Sequence, residues 1–154
     1  SQFQEYYTNN CKAKNRALYK NRALYSKDIV FEREGKIKVC DVITSASPNL
    51  TASRKYCNVR DSTNTDVLVS RCDYVLDILA EQGADVIILG AFGCGAYKLP
   101  VPDVVRLFCV VMEEPEFKNK FRLIVFAILE SSRKPNGLDG KFADFYREFG
   151  LYNI

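Results

Sequence analysis

The order of the apolar runs constrains this chain more than any other feature. Three β-branched stretches, "KIKVCDVIT" from Lys36, "ADVIILG" from Ala84 and "FRLIVFAILE" from Phe121 to Glu130, alternate with segments whose apolar residues recur at helical spacing. In "STNTDVLVSRCDYVLDILAEQG" the residues Leu68, Cys72, Val75, Leu76 and Leu79 share one helical face, with Ser, Thr and Asn as cap candidates and Gly83 as the stop. "VPDVVRLFCVVMEE" reads as a second helix with Pro102 in its first turn and Leu107, Val110 and Val111 inward. "KFADFYREFG" closes the series with Phe142, Phe145 and Phe149 inward. Alternation of this kind predicts an α/β fold of three layers, a mostly parallel sheet flanked by helices. The first strand, β-branched through its final half, is expected to be buried on part of both faces. At 154 residues and 47% hydrophobic content the chain can build one core. Residues 1–27 read as an N-terminal helical or connector segment, and 28–154 as the α/β domain.

Composition then removes whole classes of chemistry. With no histidine, neither a Ser-His-Asp nor a Cys-His arrangement can form, and zinc loses its commonest non-thiolate ligand. Proton transfer would fall to carboxylates, Lys, Tyr or Cys, and no metal site or cofactor is expected. A net charge of +3 without strong basic clustering argues against a dedicated nucleic-acid binder. The six cysteines are scattered, lack CxxC spacing and sit mostly in apolar segments, which fits a reducing cytoplasmic or nuclear setting. No apolar segment approaches the ~20 residues of a membrane span, and the start "SQFQEYYTNNCK" lacks the apolar core of a signal peptide.

Two local features stand out. "KNRALY" occurs at Lys14 to Tyr19 and again at Lys20 to Tyr25, too few copies for a solenoid, and reads as a basic solvated connector. The alternative is a phosphate or nucleic-acid patch of Lys14, Arg16, Lys20 and Arg22 with Tyr19 and Tyr25 as stacking platforms. The loops after the predicted strands, "SASPNL", "GAFGCGAYKLP" and "SSRKPNG", are rich in Gly, Ser, Pro and Asn. In open parallel sheets ligands bind outside the carboxyl ends of the strands, so these loops mark the expected site. Glycines let backbone amides approach a bound group, and amides leading into a helix N-terminus make an anion cradle. "GAFGCGAY" therefore suits a diphosphate, although its G-x-x-G-x-G order is not that of dinucleotide folds. The plainer reading is a tight strand-to-helix turn.

Taken together, "DVITSASPNL" followed by an Arg-bearing helix, "VIILGAFGCGAYK", "PDVVRLF" and "LIVFAILE" resemble the microbial-type poly(ADP-ribose) glycohydrolase family, from about Tyr6 to Phe149. The resemblance implies a macrodomain-like fold and an ADP-ribose site. In that site the backbone of Gly90, Phe92, Gly93, Cys94, Gly95 and Ala96 would wrap the diphosphate, with Tyr97 near the distal ribose. Ser45, Ala46, Ser47, Pro48 and Asn49 would line the neighbouring cleft, and Phe126 its far wall. Arg71 would be a framework residue rather than a catalytic one. Catalytic members of the family carry a triple-glycine loop and a Gln-Glu-Glu signature upstream of the matched region. This chain shows Gln4 and Glu5 alone, and matches the part after that signature. The resemblance thus implies ADP-ribose, free or on an ADP-ribosylated protein, as ligand without hydrolysis. A fragment of an active glycohydrolase and a ligand-free protein-interaction module are the alternatives. A part-domain of this kind should expose sheet edges that favour homo-oligomers or pairing with the missing portion.

Other chemistry is weaker. Cys94, at a helix N-terminus, has the position of an activated nucleophile but no imidazole to serve it, and the resemblance makes it a loop packer. Asp41, Asp61 and Asp103 are candidate acids or bases that no spacing pairs, and such residues are usually caps.

Overall fold

A computed structural model of the chain describes residues 2–12, 17–129 and 140–151. The elements run α1 (Gln2–Asn10), β1 (Ala23–Arg33), β2 (Lys36–Ser45), α2 (Leu50–Ala52) with a π-helical turn over 53–57, α3 (Asp61–Glu81), β3 (Val86–Leu89), α4 (Val101–Met112), β4 (Leu123–Phe126) and α5 (Lys141–Gly150). β1 crosses the expected boundary at residue 28, so the connector and the domain share a strand.

The sheet departs from the mostly parallel arrangement expected. β1 and β2 form an antiparallel pair, and β3 and β4 a separate parallel pair. The reason lies in the turn: Glu34 and Gly35, at φ +52° and +71°, close a two-residue reversal of the kind that matches strand twist, so "DIVFER" folds back on "KIKVCDVIT". A bulge at Asp28, φ +54°, shifts the register between Ser26 and Ile29. Asp41 holds it, accepting from the Asp28 N–H at 2.9 Å and the Tyr25 hydroxyl at 2.5 Å. Beyond the bulge both strands are exposed, with Val30 and Ile37 each 63% accessible. The first half of "KIKVCDVIT" is an arm with Ile37 and Val39 facing solvent, whereas Val42 and Ile43 in its final half are half-buried, Ile43 packed against the core.

The helical expectations fare better because burial follows their periodicity. α3 buries Leu68, Cys72, Val75, Leu76 and Leu79 and stops where Gly83 takes φ +73°. α4 buries Val104, Val105, Leu107, Phe108, Cys109 and Val111, but Val110 is 54% exposed because it falls on the opposite face. α5 buries Phe145, while Phe142 lies 53% exposed against Tyr146. One core cluster joins Leu50, Leu68, Cys72, Leu99, Phe108 and Phe145, and a second joins Val75, Leu76, Leu79, Ile87, Val111 and Phe117. β4 covers only the start of the predicted third strand. Glu130 and the loop "SSRKPNG" lie outside the described residues, as do Lys14 and Arg16. Among the described residues no helix is long and apolar enough to cross a membrane.

Candidate functional site

The short apolar β3 delivers the chain into the glycine loop, which folds on itself before α4. Phe92 N–H donates to the Gly90 carbonyl at 2.8 Å, Cys94 N–H to Ala91 at 3.0 Å and Leu99 N–H to Gly93 at 3.1 Å. The three glycines are not equivalent. Gly93 has φ +75°, and a Cβ there would lie 2.3 Å from Leu99 Cδ1 and 2.6 Å from Ser47 Oγ. At Gly90 and Gly95 a Cβ would meet nothing within 4 Å. Gly93 is thus required by the turn itself, whereas Gly95 leaves open space. The N–H groups of Gly93, Gly95, Ala96 and Tyr97 make no backbone hydrogen bond among the described residues, so the loop carries a run of free donors.

The end of β2 forms the second wall. Asn49 caps α2 through its Oδ1, which accepts from Ala52 N–H at 2.9 Å, and its own N–H donates to the Ala17 carbonyl at 2.6 Å. Leu50 N–H reaches the Tyr97 carbonyl at 3.1 Å, tying this segment to the glycine loop. Beneath it Arg71, 1% exposed, donates to the Ala46 carbonyl, to Asn21 Oδ1 at 2.8 Å and to the Leu18 carbonyl at 3.4 Å. Burial lowers its pKa, yet a guanidinium remains charged. Arg71 is therefore a framework residue that also places a buried positive charge behind the cleft wall.

α1 and the connector form the third wall. Tyr6, Tyr7, Asn10 and Cys11 meet Tyr19, Thr44, Ser45, Ala46, Ser47, Ala91, Phe92, Gly93, Gly95, Ala96 and Tyr97 around a cleft of about 770 Å³. That volume lies within the range of small-molecule sites, ~300–1,000 Å³. Tyr19 and Tyr97 have ring centroids 6.1 Å apart and hydroxyls at 3.5 Å. The interaction between the two hydroxyls, followed by burial, pushes the Tyr97 pKa up to about 12. Asn10 is buried, and its Oδ1 has no hydrogen-bond partner among the described residues.

Of the residues anticipated, Ser45, Ala46, Ser47, Phe92, Gly93, Gly95, Ala96 and Tyr97 come together in this cleft. Others sit elsewhere. Pro48 is buried beneath the wall, Asn49 is engaged as a cap, and Gly90 lines a neighbouring groove. Cys94 is buried, with its Sγ 3.7 Å from the Phe92 carbonyl, and burial pushes the thiol up to about 11, the reverse of an activated nucleophile. Phe126 packs with Phe108, Phe145 and Phe149 in the core because β4 turns it away from the cleft. Sequence reasoning missed Tyr6, Tyr7, Asn10, Cys11, Thr44 and Ala91. The spacing of Tyr6, Tyr7 and Asn10 on one face of α1 was the available signal.

No carboxylate lines the cleft among the described residues. Glu5 turns away, 3.2 Å from Arg22 and exposed. Asp41 holds the bulge, Asp61 pairs with Arg54 at 2.6 Å and Asp103 with Arg106 at 3.6 Å. Away from the cleft, Asp73, Glu114 and Glu116 bring one oxygen each within 4.8 Å of one another, and among the described residues Asp73 Oδ1 is buried without a hydrogen-bond partner. The second "KNRALY" copy is committed to internal contacts: Asn21 to Ser70 and Arg71, Arg22 to Glu5, Tyr25 to Asp41.

No protein-family model matches the chain, and no curated protein does. Solved structures do. The poly(ADP-ribose) glycohydrolase of Deinococcus radiodurans in complex with ADP-ribose aligns over 97% of this chain and 60% of its own, with TM-score 0.85 and 24% identity. This is the fold of the bacterial poly(ADP-ribose) glycohydrolases. The apo form of the same protein gives TM-score 0.85 at 24% identity over 99% of this chain and 63% of its own. The glycohydrolase of Thermomonospora curvata gives 0.78 at 23% over 96% and 53%. The chain thus spans little more than half to three fifths of the glycohydrolase chains it matches.

Proposed function

We propose that the chain is an ADP-ribose-binding domain of macrodomain-like architecture, related to the poly(ADP-ribose) glycohydrolases, that takes ADP-ribose or an ADP-ribosylated protein in the cleft and does not hydrolyse it. The observation that carries the reading is the glycine loop. Its free amides at Gly93, Gly95, Ala96 and Tyr97 flank open space at Gly95, the requirement for close approach to a diphosphate. Buried Arg71 adds a positive charge behind the same wall, and Tyr6, Tyr7, Tyr19 and Tyr97 supply ring faces and hydroxyls suited to a nucleoside. The Deinococcus radiodurans protein of the same fold holds ADP-ribose, which supports the choice of ligand.

The chemistry of the cleft supports binding over cleavage. Glycosidic hydrolysis draws on carboxyl groups at the scissile bond, and the described lining offers none. The domain needs no metal or prosthetic group under this reading, and its six free thiols suit a reducing cytoplasm or nucleus.

Calorimetric titration with ADP-ribose tests the proposal. Saturable binding is expected for the parent and should be lost in Gly95→Trp, whose side chain projects into open space and fills the cleft while the fold persists. Poly(ADP-ribose) incubated with the chain should release no ADP-ribose. A folded parent that binds nothing overturns the ligand assignment, and released product overturns the absence of hydrolysis.

A further inference from the structure

The arm that β1 and β2 form beyond the Asp28 bulge has two faces of different chemistry. Residues directly opposite in an antiparallel pair stand on the same face, and alternate residues of each strand return to it. The register puts Ile29 with Cys40, Phe31 with Lys38 and Arg33 with Lys36 on one face, and Val30 with Val39 and Glu32 with Ile37 on the other. The first face therefore gathers three cations, Arg33, Lys36 and Lys38, around Phe31. Of the two carboxylates in this stretch, Glu32 lies on the opposite face and Glu34 in the turn. All of these side chains are exposed, Phe31 by 49%. The chain's net charge averages over this segregation and so conceals it. Lys36 and Lys38 make no ion pair among the described residues. Arg33 has only Glu34, at 3.6 Å with both side chains largely in water, a contact of little worth. Arg33 and Lys36 stand directly opposite each other, where like charges repel, and an anion laid across them relieves the repulsion.

We propose that this face of the arm is a docking surface for single-stranded nucleic acid, with phosphates against Arg33, Lys36 and Lys38 and one base stacked on Phe31. Cations that track a backbone beside an exposed aromatic ring are what sequence-tolerant binding of a single strand uses. From Ile29 to Arg33 the face is about 14 Å long, at ~3.4 Å per residue, which suits a short footprint. A duplex does not meet the requirement, because its bases are stacked on one another and cannot reach Phe31. A lipid surface fits less well. The aliphatic side chains Val30, Ile37 and Val39 lie on the face opposite the cations, so a bilayer that took up one face would leave the other in water. None of residues 29–40 lines the cleft, and the docking does not depend on the ADP-ribose assignment.

Fluorescence anisotropy on the full chain, with a labelled single-stranded RNA of about twelve nucleotides of mixed sequence as probe, tests this. Saturable binding is expected, with log K falling against log salt at a slope of about −2, as three phosphate contacts on a single strand require. Lys38→Ala should reduce the slope by about 0.7, and Lys36→Glu combined with Lys38→Glu should abolish binding. Phe31→Ala should weaken binding about tenfold at an unchanged slope. Ile37→Thr, on the opposite face, should leave it as it is, and saturating ADP-ribose should not displace the RNA. All the substituted side chains are exposed, so the urea midpoints of these variants should match the parent's. A folded parent that fails to bind RNA at low salt overturns the proposal, as does RNA displaced by ADP-ribose or bound equally well as a duplex. Equal losses in Ile37→Thr and Lys38→Ala, or full affinity in Phe31→Ala, also overturn it. So does tighter binding to vesicles of phosphatidylserine and phosphatidylcholine than to RNA, which would assign the arm to a membrane.

Discussion

A Cβ on Gly93 would collide with Leu99 Cδ1 and Ser47 Oγ while the backbone sits at φ +75°, and the side chains concerned are themselves buried. Gly93→Ala should therefore lose about 2–4 kcal/mol of stability, combining left-handed strain with overpacking. Gly95→Ala should change it by less than ~0.5 kcal/mol. Urea denaturation of the two variants reads the contrast, and equal losses would refute the distinction between a structural and an open glycine. A second residue-scale effect concerns Tyr25. Its hydroxyl donates to Asp41, so ionising it would set two anions in contact, and its pKa is pushed up to about 12 while the Asp41 carboxyl is held below its usual value. The tyrosine's share of stability is present below its unfolded value of ~10 and is lost as pH climbs from there to about 12. The carboxylate's share is present above its unfolded value of ~3.9 and is lost as pH falls through its lowered folded value. In an alkaline absorbance titration, Asp41→Asn should bring one tyrosine back from about 12 toward ~10. An unchanged profile would show that the hydrogen bond does not set it.

At the scale of elements, Arg71 joins parts that are distant in sequence: α3, the connector at Leu18 and Asn21, and the end of β2 at Ala46. Among the described residues no carboxylate pairs with it; the charge is held by oxygens of amides and carbonyls. Arg71→Met would leave those acceptors buried without donors and should cost roughly 3–5 kcal/mol, with Arg71→Lys recovering only part. A urea midpoint that barely moves would remove Arg71 from the framework. The legibility of the elements follows the same physics. α3 and α4 could be read from the sequence because burial on a helix repeats every three or four residues, as Leu68, Cys72 and Leu76 do. The first half of "KIKVCDVIT" misled because a β-branched run looks alike whether it is covered on two faces or projects as an arm; the deciding pair, Glu34 and Gly35, lies outside it. The glycine loop was legible since glycine has positional meaning. The α1 wall was not, because Tyr6, Tyr7 and Asn10 join the site only through tertiary docking.

For the molecule as a whole, the distribution of burial predicts a graded resistance to opening. Helices α3 and α4, with residues such as Leu76, Val104 and Val111 fully enclosed, should exchange their amides only through global unfolding. The arm beyond the Asp28 bulge, with Val30, Ile37 and Val39 exposed, should exchange through local separation of β1 from β2. A uniform exchange free energy across both regions would show instead that the arm and the core open as one unit. The duplicated hexapeptide bears on the same whole. The Ala-Leu-Tyr of its first copy makes the left-handed turn at Ala17 and Tyr19 that borders the cleft, and the Ala-Leu-Tyr of its second copy opens β1. Deletion of either copy leaves one and the same shorter chain, in which a single Ala-Leu-Tyr must serve as the cleft's turn or as the root of the hairpin but cannot be both. An in-frame loss of six residues would force this fold to choose between its cleft and its sheet.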